Sequence, residues 1–181
     1  IFVVSSVNFM VPHVGSGGGD DKQTTIKKDD AWTVFLKERE ELIEFWDGLD
    51  KGVFVLTGDL HNSFAIKITD NVYEFASGPH NSINHAPMKD EGGRPANGRF
   101  KYGPRACDIR WSSYAMEDIP RANRTFPHYC VVQVNNVFNN PIERNGERWF
   151  AFPHAQVIFQ FHDAYTGELR YSETFVLGLD K

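Results

Sequence analysis

The residues best equipped for chemistry lie in the run Val53-Phe54-Val55-Leu56-Thr57-Gly58-Asp59-Leu60-His61-Asn62-Ser63. An apolar run rich in β-formers ends at Gly58. A carboxylate and an imidazole follow two residues apart, with an amide and a hydroxyl beyond. Iron, zinc and manganese accept carboxylate and imidazole ligands together. Such a metal acidifies water and neutralises charge on a phosphoryl group. Asp59 and His61 are therefore candidate metal ligands of a hydrolytic site. The competing reading makes Asp59 the cap of a turn and His61 a hydrogen-bonded structural histidine, because Asp-x-His is short and recurs by chance. Position favours the ligand reading, since ligands gather beyond the carboxyl ends of parallel strands.

The neighbouring polar residues extend the candidate site. Asn62 and Ser63 can contact a substrate oxygen, orient the ligands, or simply make the turn. No Gly-x-Ser-x-Gly elbow supports Ser63 as a nucleophile. The segment Gly78-Pro79-His80-Asn81-Ser82-Ile83-Asn84-His85 brings two more histidines, either to the same mouth or to a polar surface loop. Asn62 and His80 are the candidate phosphate contacts. His13 leaves the first strand towards the same rim. His128, His154 and His162 are read as structural.

These side chains need a frame. Residues 1–7 read as a buried strand. Asp29-Asp30 offers an N-cap and acidic first turn. Trp32, Phe35, Leu36, Leu42, Ile43, Trp46 and Leu49 then fall at helical spacing, with Gly48 and Gly52 as stop signals. Arg39 shares that apolar stripe, so its guanidinium must snorkel, pair structurally, or brace a carboxylate near the site. Strand, helix and strand make a βαβ unit with residues 1–7 parallel to residues 53–57. Residues 64–69 and 72–76 around Asp70-Asn71 read as a tight hairpin. Residues 77–105 read as a long loop. Residues 109–111, 129–137, 157–161 and 169–177 read as further strands. The expected fold is α+β, a βαβ unit followed by antiparallel strands, in a single domain over residues 1–181.

Bulk properties narrow the function. The chain has 181 residues, 41% hydrophobic and 24% charged, as an ordinary globular domain does. A net charge of −5 argues against a general nucleic-acid platform, and the 14% aromatic content has no basic stripe beside it. No apolar run is long enough to cross a membrane as a helix. The start on Ile1-Phe2-Val3-Val4, without an initiator Met, reads as a processed protein or a piece of a longer one. Cys107 and Cys130 leave pairing open, and they do not make a cysteine-rich zinc site. The glycine cluster at 15–19 lacks the Gly-Lys-Ser/Thr of a phosphate loop and reads as a plain loop.

The segment Leu56-Thr57-Gly58-Asp59-Leu60-His61-Asn62-Ser63 resembles the Leu-Thr-Gly-Asp-x-His-x-Ser segment of PhoD-like alkaline phosphatases, in the calcineurin-like metallophosphoesterase superfamily. The preceding helix with Trp32 and Glu38-Arg39 is similar, and so is Glu74-Phe75-Ala76-Ser77-Gly78-Pro79 after the hairpin. The resemblance spans Ile1 to about Ser82. It implies the C-terminal half of a metallophosphoesterase-like β-sandwich flanked by helices, acting on a phosphoester substrate as a phosphomonoesterase or phosphodiesterase. It implies Asp59 and His61 as late ligands of iron and calcium, or of manganese or zinc. The remaining ligands would come from an upstream portion of the same protein, because no counterpart of the family's earlier half is present. It also implies a secreted or periplasmic protein. The rival reading is a catalytically inactive structural or binding module that keeps the fold without a complete metal site.

Overall fold

Two apolar runs on either side of a helix set the centre of the fold. The computed structural model describes residues 1–13, 31–113, 119–136, 142–144, 147–149 and 154–176. Strand β1 (Phe2–Val4) lies parallel to β2 (Val53–Thr57), with Phe2 opposite Phe54. A 3₁₀ turn (Trp32–Val34) and helix α1 (Leu36–Asp47) lie between them, so the expected βαβ connection forms. Strands β3 (Phe64–Lys67) and β4 (Val72–Ala76) make the expected hairpin. Its second arm lies parallel on β2, with Val53 opposite Val72. After a short helix α2 (Pro87–Asp90), strands β5 (Gly98–Tyr102) and β6 (Arg105–Ser112) complete a sheet of order β1-β2-β4-β3-β6-β5. Because β6 is antiparallel to β3, and β3 to β4, strands β1, β2, β4 and β6 all finish at one edge.

Several elements depart from the sequence expectation for identifiable reasons. Strand β1 is short and largely exposed, with Val4 81% accessible, because among the described strands it is the sheet's edge and pairs only with β2. The long loop expected over 77–105 contains α2 and β5. Gly98-Arg99-Phe100-Lys101-Tyr102 in fact alternates, with Phe100 buried and Arg99 and Lys101 exposed. Gly103 takes a φ of 70°, as a two-residue hairpin loop with glycine first requires. Helix α1 begins at Leu36, after the 3₁₀ turn, while Asp29 and Asp30 lie outside the described residues. So does the glycine cluster at 15–19.

The inner face of α1 carries Arg39, Ile43 and Trp46, spaced to fall on one stripe. Arg39 is fully buried and is structurally paired. Its Nη2 donates to Glu40 Oε1 at 2.8 Å and to the Tyr102 carbonyl at 3.1 Å. Arg105 donates to the other Glu40 oxygen, so one carboxylate joins α1 to the β5–β6 hairpin.

A second carboxylate does more for the site. Glu74 shares the inward face of β4 with Val72 and Ala76 and is fully buried. It accepts the backbone N–H groups of Phe9 at 2.6 Å and Met10 at 2.8 Å, and the Thr57 hydroxyl at 2.9 Å. Burial raises its pKa above the usual carboxylate range, and these donors and the Arg39 charge offset that only in part. Phe9, Met10 and Val11 then join the core with Ile43, Trp46, Val55 and Leu60. Glu74 thereby fixes the segment that follows β1.

The chain divides into two compact units, Ile1–Tyr129 and Cys130–Lys181, and the division falls inside β7 (His128–Asn135). That is why no linker is visible in the sequence. The second unit is built on a sheet of order β11-β10-β7, in which β10 (Gln156–Asp163) and β11 (Leu169–Val176) are antiparallel. A ribbon of β8 (Ile142–Arg144) and β9 (Glu147–Trp149) belongs to the same unit. The whole is mixed α+β and mostly sheet. Among the described residues, no helix is long and apolar enough to cross a membrane. Both cysteines are free thiols, and burial pushes Cys107 up to about 12 and Cys130 to about 11.

Glu74→Leu leaves the Phe9 and Met10 amides and the Thr57 hydroxyl without their acceptor, which should cost about 3 kcal/mol at 1–3 kcal/mol per buried orphan donor after relaxation. Urea unfolding measures it. A loss under about 1 kcal/mol would mean that packing alone holds residues 8–13.

Candidate functional site

The segments that leave β1, β2 and β4 converge at the edge where those strands end. Leaving β2, Leu60 N donates to Gly58 O at 2.7 Å, which makes a sharp turn. Asp59 takes a φ of 63° inside it. That left-handed conformation is uncommon for a non-glycine residue, although aspartate enters it more readily than most. The turn drives Leu60 into the core and leaves the Asp59 side chain 46% exposed.

His61 is half-buried, and its Nδ1 lies 2.9 Å from the Ile83 carbonyl. A carbonyl only accepts, so Nδ1 carries a proton here. Histidines that bind metals characteristically donate their other ring N–H to a carbonyl or carboxylate in this way. The His85 ring stacks on His61, with centroids 4.4 Å apart and planes 13° from parallel. His13 lies 5.0 Å from His85, ring to ring, and its Nδ1 is 3.9 Å from Asp59 Oδ2. Three imidazoles and one exposed carboxylate thus share the mouth.

A buried polar network supports this wall. Asn62 is fully buried. Its Nδ2 donates to Glu91 Oε1 at 2.7 Å and to the His85 carbonyl at 3.3 Å, and its Oδ1 accepts from Asn84 Nδ2 at 2.9 Å. The Asn62 amide is therefore engaged within the protein, where it orients the loop carrying His85. Glu91 and Arg94 are buried and directly paired through Glu91 Oε2 and Arg94 Nε. His85 Nδ1 stands 3.5 Å from Glu91 Oε1, an ion-pair distance that is long for a hydrogen bond. Burial alone would raise the Glu91 carboxyl, but Arg94, His85 and Asn62 together hold it below the usual range.

Ser63 is also spent on structure. Its hydroxyl bridges the Gly78 carbonyl at 2.9 Å and the Gly78 amide at 3.0 Å. A Cβ on Gly78 would stand 3.0 Å from the Leu60 carbonyl, so glycine permits this close approach. Gly92, at a φ of 66°, lies against Pro12, and a Cβ there would meet the ring at 2.4 Å. His80 is exposed, and no described hydrogen bond or ring contact joins it to Asp59 or His61. His128 is buried, with Nδ1 2.9 Å from the Phe126 carbonyl. His162 Nδ1 lies 3.0 Å from the Gly167 carbonyl.

The donor chemistry of Asp59 and His61 suits a divalent or ferric cation. Among the described residues, no three His, Cys, Asp or Glu side chains are arranged to hold one ion. The sequence placed Asp59 and His61 beyond β2, offered this rim to His13 and left His85 between the rim and a polar surface loop, and it gave no sign of Glu91 and Arg94. The run Lys89-Asp90-Glu91-Gly92-Gly93-Arg94 reads as solvated surface, and only tertiary packing buries its last acid–base pair.

Glu91→Gln should cost about 3 kcal/mol at neutral pH, because it strands the buried Arg94 charge. The depressed Glu91 pKa means its contribution is present above the ordinary carboxylate range and is lost as pH falls through the depressed value. Stability measured from pH 7 to pH 2 should therefore decline less steeply in the variant. Parallel curves would remove Glu91 from the acid response.

Compared with protein-family models, with curated proteins and with solved structures, the chain matches none, so its function is argued from this geometry.

Proposed function

We propose that this chain is the C-terminal portion of a metal-dependent phosphoester hydrolase, a phosphomonoesterase or phosphodiesterase of the alkaline phosphatase D type. The observation that carries the proposal is the Asp59–His61 pair beyond β2. Asp59 is held outward by a left-handed turn, and the His61 ring is fixed by Ile83 through Nδ1. These two residues would hold iron with calcium, or manganese or zinc. A bound cation supplies Lewis acidity, neutralising charge on a phosphoryl group. The chain's own work is positioning. Ile83 and His85 set the His61 ring, and Asn62 and Glu91 hold the loop that carries them. His80, exposed beyond β4, remains the candidate contact to a phosphoester substrate.

Catalytic metals usually take at least three protein ligands, so an upstream portion of the same protein completes the site in this proposal. The exposed edge of the sheet supports that reading. Phe2 is 43% and Val4 81% accessible. A groove of about 540 Å³ runs beside β1, lined by Val3, Phe9, Trp32, Phe35 and Leu42 among others. The six-stranded sheet would be one layer of a metallophosphoesterase-like β-sandwich, and a secreted or periplasmic location follows from the same resemblance.

A second reading, a catalytically inactive structural or binding module, is favoured by the lack of a three-donor set among the described residues. Metal content separates the two. In the full-length protein, Asp59→Asn keeps a residue tolerant of the left-handed turn, and His61→Ala removes one imidazole. Each should lower phosphatase activity by at least about 100-fold, beyond the 10–100-fold typical of outer-shell partners, and should lower bound metal by elemental analysis. Wild-type activity and metal content in both variants would falsify the assignment. A wild-type protein that takes up none of these metals supports the inactive module.

A further inference from the structure

Of the chain's asparagines, only Asn123 has a serine or threonine two positions on, in Asn123-Arg124-Thr125. The middle residue is not proline, and neither is Phe126 after it. Asn-x-Ser/Thr is the acceptor pattern for N-linked carbohydrate. The pattern is short, so its placement in the fold has to carry the reading. Asn123 ends a 3₁₀ turn (Arg121–Asn123), and both Asn123 and Thr125 are exposed. Between them Arg124 takes a φ of −82° and a ψ of 67°, and Thr125 N donates to the Asn123 carbonyl at 3.0 Å. Those angles and that bond make an inverse γ-turn, with residues 123 and 125 flanking its corner. The corner residue is held from within. Arg124 is only 9% exposed, and its Nε donates to the Ile119 carbonyl at 2.9 Å. Its own carbonyl accepts from the Asn84 amide at 2.7 Å.

Asn62 and Asn84 show what a structural asparagine does in this fold: their carboxamides are consumed in the buried network. No described hydrogen bond engages the Asn123 carboxamide. It stands in water on a pinned turn, beside the hydroxyl residue that the acceptor pattern demands. We propose that Asn123 is an acceptor site for an N-linked oligosaccharide. The donor is a lipid-linked oligosaccharyl diphosphate. The bond from Asn123 Nδ2 to the sugar C1 forms, and the C1–O bond breaks, its electron pair leaving with the diphosphate. One Nδ2 proton passes to a base of the transferase. The sugar chain grows outward from the segment whose Arg124 carbonyl and Phe126 amide clasp Asn84, so the buried network behind the rim keeps its bonds. The inference goes beyond the phosphoester reading and shares with it only the secreted location.

The test carries the full chain behind a secretory leader through cells that N-glycosylate. The leader supplies the location, so the outcome turns on the acceptor alone. Intact mass should show a single glycan, removed by peptide-N-glycosidase, which leaves Asp at position 123. Asn123→Gln and Thr125→Ala should each lose the glycan entirely, and Thr125→Ser should keep it. These substitutions fall on exposed side chains away from the core, so the variants should melt with the unglycosylated wild type. A control placed elsewhere reports that the chain meets the transferase. Ala164→Asn puts the same pattern two residues before Thr166 on an exposed turn, and added to Asn123→Gln it should restore a glycan. A wild-type chain secreted without a glycan overturns the proposal, and a glycan on the Ala164→Asn control then places the failure at residue 123 itself. A glycan that persists in Asn123→Gln, or one indifferent to Thr125→Ala, overturns it as well.

Discussion

The Glu74 carboxylate is the constraint on which the rest of the first unit depends. It sits on the inward face of a central strand, where an unpaired charge costs several kcal/mol. Three donors offset that cost: two consecutive backbone amides from the segment after β1 and a hydroxyl from β2. One side chain on β4 thus ties the exits of β1 and β2 together. An apolar residue at position 74 would fill the volume, but it would leave the Phe9 and Met10 amides without partners. The chain would have no reason to cross the sheet edge at the height that carries Pro12 and His13 to the mouth.

A second buried carboxylate repeats the logic one strand over. Glu91 takes Asn62 from the β2 exit and Arg94 from its own turn, and faces His85. Asn84 then joins Asn62 to the Phe126 amide, and the Arg124 carbonyl accepts from the Asn84 amide. These bonds fix the loop whose Ile83 carbonyl selects the tautomer of His61. The imidazole wall is therefore positioned by two carboxyl groups in the interior, each anchored to backbone or amide groups on a neighbouring exit. A loop held this way presents its side chains with little freedom, which is what ligation and substrate contact both require.

Much of this frame was legible in the sequence because it rests on local pattern. The parallel pair β1–β2, the β3–β4 hairpin and the apolar stripe of α1 all follow from the period of their hydrophobic residues. The strand-end position of Asp59 and His61 follows from the same pattern. What the sequence hid is tertiary. Glu74 alternates in phase with Val72 and Ala76, so its inward face could have been read, but its two backbone donors lie 64 and 65 residues away. Glu91 and Arg94 give no such signal, since a charged run beside two glycines looks like surface. Arg39 was visible as an anomaly on an apolar stripe. Its partner Glu40 lies next to it in the chain, and the Tyr102 carbonyl is 63 residues away.

Costly local features occur in several parts of the first unit, and those at the exits of β1, β2 and β4 are set apart by the chemistry they display. A left-handed non-glycine residue costs about 1–2 kcal/mol where glycine would cost almost nothing. Position 59 nevertheless carries a carboxylate, with a glycine one residue earlier. A buried arginine–glutamate pair is often no better for stability than well-packed apolar residues, yet Glu91 and Arg94 underlie the same rim. Stacking His61 on His85 places two polar rings face to face where two aliphatic side chains would pack more simply. Local choices that disagree with economical folding are expected where a site must be held in a particular chemical state. The opposite ends of the same strands also hold a left-handed non-glycine residue, Asp50 before β2, beside a β3–β4 hairpin that turns through Asp70-Asn71 and is closed by a surface pair of Lys67 with Asp70. What differs at the rim is the grouping itself: three imidazoles and an exposed carboxylate lie within reach of one another, which finishing a strand does not require.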